Sequence, residues 1–123
     1  MSLQQDAIAA GMELLLATAG REVTVRRGNL SAALVVAVGK SEYASQAATG
    51  LVEEIETRDY LLRAADYDFG GGPALPQRGD VLEDRISGQT TTWEVAPPGA
   101  GQQHYRPMDP DHCWLRVHTH QVH

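Results

Sequence analysis

The sequence predicts a mainly β fold, a small antiparallel barrel or sandwich preceded by one N-terminal helix. Two patterns carry that expectation. Apolar and polar residues alternate at 22–26 and again at 113–119, the period of a strand with one buried face. Turns rich in Gly, Pro and Asn separate the strand-like runs at short spacing, as in closed or layered all-β architectures. Only the first twenty residues follow a helical period.

In that first segment Ile8, Met12, Leu15 and Leu16 recur at i, i+4, i+7 and i+8, one face of a helix, with Leu3 and Leu14 read at its edge. Ser2 and Gln5 stand at capping-box spacing, and Gly20 supplies a stop. Val23 and Val25 then point one way, Gly28-Asn29 turns the chain, and residues 32–38 return as a mostly buried strand. Residues 39–50 are small and polar and read as a long loop. Residues 51–63 read as two strands with a kink or turn at 57–59, a helix being the competing assignment. Residues 66–77 contain Phe69-Gly70-Gly71-Gly72-Pro73 and form a second loop. Strands at 81–86, 90–95 and 113–119 complete the chain. The expected interior includes Val23, Val25, Val36, Val81, Leu115 and Val117, with Cys113 on the same face as the last two.

Composition narrows the function. The 123 residues are 42 % apolar and 21 % charged, so neither disorder nor a membrane protein is expected. Ten basic and sixteen acidic residues give a net charge of −6, the wrong sign for a chain whose affinity is for phosphate backbone. Nine of the acids lie within residues 53–84. The longest apolar run, residues 32–38, falls far short of the ~20 residues that span a bilayer. One cysteine excludes an internal disulfide and a cysteine-based zinc cage. No basic region precedes the first apolar stretch, which points to the cytoplasm rather than export.

Catalytic chemistry finds little footing. His118 and His120 fall on one face of a strand, about 7 Å apart, and with His104, His112 and His123 offer an alternative reading, a small metal-dependent β-barrel enzyme. Converging a third ligand is the difficulty, because His112 lies about 20 Å along an extended strand from His118. No nucleophile elbow and no phosphate-binding glycine loop occurs. Neighbouring acids such as Glu53 and Glu54 face opposite ways in a strand. Cys113, alternating with Leu115 and Val117, reads as a buried and inert thiol. The residues themselves therefore suggest a non-enzymatic β domain with no cofactor and no metal, a generic adaptor being the plainest form.

A resemblance sharpens this. The order helix, hairpin, Ser41-Glu42-Tyr43-Ala44-Ser45-Gln46, Arg78-Gly79-Asp80-Val81-Leu82, Thr92-Trp93-Glu94-Val95 and Cys113-Trp114-Leu115 is similar to that of the lambda-type phage head–tail joining (head-completion, attachment) proteins. It covers residues 21–120. The chain departs from the family pattern at Glu94, in its longer connection over 97–111, and in its acidic block. The resemblance implies a helix over 1–20 and a barrel-like connector over 21–123. It also implies a structural role in a tailed phage or prophage: copies form a ring below the portal and join DNA-filled heads to tails. Its partners would be portal or head-completion proteins and tail proteins. DNA would pass an acidic lumen without specific binding, no membrane would be involved, and the free chain would be monomeric. The place would be the bacterial host cytoplasm during assembly and then the virion. Residues 41–50 and 66–77 are the expected assembly surfaces, mobile before docking. Leu15, Tyr43, Gln46, Asp66, Tyr67 and Phe69 are the candidate contact residues.

Overall fold

A computed structural model describes residues 3–46, 52–99 and 101–122, with side chains described outside 40–46 and 52–57. Helix α1 spans Leu3–Ala19, followed by strands β1 Arg21–Arg27, β2 Leu30–Gln46 and β3 Val52–Arg63. A 3-10 turn at Ala64–Asp66 leads to β4 Val81–Ile86, β5 Gln89–Val95, β6 Tyr105–Pro107 and β7 Trp114–Val122. Every pairing is antiparallel, in the order β3-β2-β1-β4-β5-β7-β6. A further pairing of β3 with β7, Arg58↔Thr119 through Arg63↔Trp114, closes six of the strands into a barrel. One edge of β7 is shared, by β5 towards its end and by β6 nearer its start.

Alternation builds the interior. Val23, Val25, Leu34, Val36, Tyr60, Leu62, Tyr67, Leu82, Val95, Leu115 and Val117 form one buried cluster. At about 1.5–3 kcal/mol for each large apolar side chain fully buried, this cluster dominates stability. The β1–β2 hairpin closes with Arg27 opposite Leu30, and Gly28 at φ +60° takes the left-handed conformation that its turn requires.

The helix packs outside the barrel. Met12 buries against Ala37, Leu61 and Trp114, with Ile8, Leu15, Leu16 and Met108 around it. Gly20 ends α1 by donating its N–H to Leu16 O at 3.0 Å. A Cβ there would lie 2.2 Å from that oxygen and 2.9 Å from Val35 Cγ1, so only glycine lets β1 start at once. Gln5 is buried and its Oε1 accepts from the Asp111 amide at 3.1 Å, tying the first turn to the loop before β7. Ser2, the other half of the expected capping box, lies outside the described residues.

Several expectations are corrected. The second strand does not stop at residue 38 but runs to Gln46, so residues 39–46 are strand rather than loop, while 47–50 lie outside the described residues. Among the described residues, β2 past Val36 pairs only with β3, and the β3–β7 pairing ends at Arg58, so the segment from Lys40↔Arg58 to Gln46↔Val52 is two-stranded. The small polar side chains of 39–46 gave no period to read, yet backbone pairing with β3 suffices for a strand. β3 itself is one continuous strand, Val52–Arg63, with no break at 57–59 and in place of the competing helix. Val81 is only half-buried, and Leu82 takes the interior place. Cys113 is exposed, because β7 begins one residue later, at Trp114. Leu3 and Leu14 are not at the edge of the buried stripe but 88 % and 65 % exposed.

Candidate assembly surface

The barrel ends are sealed by side chains, which decides where contact can occur. Asp80, Leu82 and Asp84 alternate inward and are all buried. At one end Arg27 grips Asp80 bidentately, Nε to Oδ1 at 2.9 Å and Nη2 to Oδ2 at 2.8 Å. The Tyr67 hydroxyl and the Gln77 amide also donate to Asp80 Oδ2, at 2.6 and 2.9 Å. Burial would raise the Asp80 carboxyl, but hydrogen bonds from Arg27, Tyr67 and Gln77 outweigh it and hold the group below the usual range. Burial, reinforced by Asp80, pushes the Tyr67 phenol up, so it remains a donor.

The other end repeats the chemistry. Arg58 Nη2 and the Tyr60 hydroxyl donate to Asp84 Oδ2 at 2.8 and 2.9 Å, and Arg21 Nη2 forms an ion pair with Oδ1 at 2.9 Å. Arg58 also lies over the Tyr60 and Trp93 rings. Each end is thus an Asp held by one Tyr and at least one Arg, with Leu82 between them. Among the described residues the interior is one packed apolar cluster.

What remains outward is an arm and a loop. The arm is the two-stranded extension of β2 and β3, residues 40–46 paired with 52–58. Its register sets Tyr43 opposite Ile55, Gln46 opposite Val52 and Glu42 opposite Glu56. A lone two-stranded ribbon is marginal in water. That suits a surface that meets a partner. The side chains of Tyr43 and Gln46 lie outside the described residues.

The loop after β3 is anchored rather than free. Ala74 N donates to Tyr67 O at 2.8 Å, and Asp68 Oδ1 accepts from the Gly70 and Gly72 amides at 2.6 and 3.2 Å. Tyr67 is buried in the Asp80 clasp and so presents no surface to a partner. Phe69 is half-buried, edge-on to Tyr67 and under the Arg27 guanidinium. Asp66 is half-buried with Arg63 at 3.5 Å, and Leu15 is half-buried against the barrel.

The described histidines do not converge. His118 is buried with Nδ1 2.9 Å from Asp59 Oδ1, whose other oxygen accepts from Arg116 at 2.6 Å. His120 is exposed, and His104 Nε2 sits 2.7 Å from Pro76 O. His112 occupies a turn at φ +56°, and His123 lies outside the described residues. Among the described residues no three His, Cys, Asp or Glu are placed to share a metal ion. Asp109 accepts from the Cys113 and Trp114 amides at 3.0 and 2.8 Å, fixing the start of β7. Cys113 is exposed, yet desolvation of its thiol and the nearby Asp109 and Asp111 push its pKa up, which disfavours the thiolate.

Sequence reasoning did not find the clasp residues Arg27, Asp80 and Asp84. A signal existed, since Asp80, Leu82 and Asp84 have strand spacing, but charged residues at inward positions read as outward ones. The described residues thus form a closed six-stranded barrel with a helix packed outside it and a two-stranded extension of β2 and β3. Residues 1–123, the whole chain, match the profile of the phage head-tail joining protein family. The chain belongs to that family. Among curated proteins no match is found. Membership places this chain with structural phage proteins, in which work is done by contact rather than by catalysis.

Proposed function

We propose that the chain is a connector of a tailed phage or prophage, assembled as a ring of copies below the portal to join DNA-filled heads to tails. The observation that carries this is the arm, a two-stranded ribbon held to the barrel only at its base, in a chain that matches the joining family throughout. The arm is the contact element towards portal, head-completion or tail proteins, through Tyr43 and Gln46. The loop over 66–77 adds Asp66 and Phe69. A net charge of −6 suits a ring whose lumen must let DNA slide without adhering. Assembly takes place in the host cytoplasm and the product stays in the virion. No cofactor is assigned.

Register supplies a clean test. Lys40 and Arg58 are opposed, so residues 41–57 can be replaced by an Asn-Gly turn without altering the barrel. In a phage lacking its own copy, the shortened protein should fold but leave filled heads and free tails unjoined. Normal yields of complete particles with the shortened protein would refute the arm as the contact element.

A further inference from the structure

The N-terminal half of α1 and the start of β7 border a cleft of about 320 Å³, the lower end of the size of ligand pockets. Asp6, Ala9 and Glu13, three and four residues apart on one helix face, form one wall. Cys113 and Trp114 form the other, and the lining is mainly apolar. Its frame is fixed. Gln5 Oε1 accepts from the Asp111 amide at 3.1 Å, tying the helix to the loop, and Asp109 accepts from the Cys113 and Trp114 amides at 3.0 and 2.8 Å.

Three carboxylates border the cleft, those of Asp6, Glu13 and Asp111, against one cation, Arg63. Arg63 is already spent. It donates to both Glu13 oxygens at 2.6 and 2.5 Å, lies 3.5 Å from Asp66 and covers the Trp114 ring at 5.0 Å. Among the described residues neither Asp6 nor Asp111 has a side-chain partner. The Cys113 thiol registers the sign of the site, since desolvation and then the Asp109 and Asp111 carboxylates push its pKa up.

We propose that this cleft receives a lysine or arginine side chain of a neighbouring virion protein, its charged head between Asp6 and Asp111 and its methylene stem along Ala9 and Trp114. The chemistry selects that occupant. An apolar side chain would leave both carboxylates unanswered, and an anion would be repelled. A metal ion lacks ligands, because among the described residues no three His, Cys, Asp or Glu converge. A long basic side chain suits lining and rim together, burying its stem while its head stays charged. Apolar walls bordered by one sign of charge also focus the field and draw a cation in from solution. That a virion protein supplies the side chain rests on the connector reading, whereas the preference for a cation does not. The cleft shares no residue with the arm.

Cys113 is a probe already in place. A cationic and an anionic methanethiosulfonate of similar size should label it at rates whose ratio exceeds their ratio on free cysteine by about tenfold. Taking the ratio cancels the thiolate fraction. Asp6→Asn combined with Asp111→Asn should remove most of that excess and leave the thermal midpoint unchanged, because neither carboxylate has a partner to lose. A native ratio equal to that of free cysteine, or an excess that survives both substitutions, would overturn the inference. In a phage, Asp6→Lys combined with Asp111→Lys should leave filled heads and free tails unjoined, and suppressors should exchange a Lys or Arg of another virion protein for Asp or Glu. Normal particle yields from that variant, where the arm-shortened protein gives none, would overturn the docking role and leave the connector reading standing. Normal yields from both would strike the connector reading itself.

Discussion

Asp80 concentrates the charge chemistry of the barrel in one carboxylate. Its side chain is 2 % exposed and that of Arg27 25 %, so losing the charge strands a half-buried guanidinium. Asp80→Asn should cost about 3 kcal/mol, the low end for breaking a buried pair, because Arg27 keeps some water. Tyr67→Phe, removing one donor and leaving the ion pair, should cost about 1 kcal/mol. The pH dependence follows from the direction of the shift. The folded Asp80 carboxyl lies below its unfolded value, so its contribution is complete above about pH 4 and is lost as pH falls through the folded value. Denaturant unfolding from pH 7 to pH 2 should show the gap between native protein and Asp80→Asn closing only on the acid side. A gap that is constant with pH would assign the loss to packing.

The helix makes a corresponding case among the elements. Its attachment rests on Met12, Trp114 and the glycine that releases the chain into β1. Met12→Ala should cost about 2–4 kcal/mol. Gly20→Ala should cost about 1–3 kcal/mol, because the new Cβ meets backbone oxygen that cannot step aside. In both variants helix amides should exchange faster while β1 amides stay protected, a separation that hydrogen exchange resolves. The same elements show what the sequence reveals. α1, the β1–β2 hairpin, β4, β5 and the alternation of Leu115 and Val117 were legible, because period and turn chemistry are local. The long β2, the three-residue β6 and the uninterrupted β3 were not, because their strand character comes from neighbours distant in the chain. Among the candidate contact residues the arm positions lay in a segment read as loop, and Tyr67 was read from its glycine-rich surroundings as surface when its hydroxyl is directed inward to Asp80.

For the molecule as a whole, closure is a long-range event. Arg63 pairs with Trp114 and Arg58 with Thr119, so roughly half the chain must be looped before the barrel exists, and such topologies fold in milliseconds to seconds. Because β7 binds β3, β5 and β6, a chain truncated before Trp114 should lack cooperative unfolding, whereas one lacking α1 should keep it at reduced stability. Circular dichroism during thermal denaturation separates the two. The fold's most recognisable tripeptide also takes on a different meaning. Arg78 is exposed, Gly79 turns the chain at φ +93°, and Asp80 disappears into the barrel beside Leu82. That aspartate is spent on Arg27, Tyr67 and the Gln77 amide, so in this chain Arg78-Gly79-Asp80-Val81-Leu82 serves the fold rather than a contact. Changing Asp80 or Leu82 should therefore unsettle the barrel before it alters anything the chain attaches to, so a partner's preference would have to be written in side chains that the barrel does not consume.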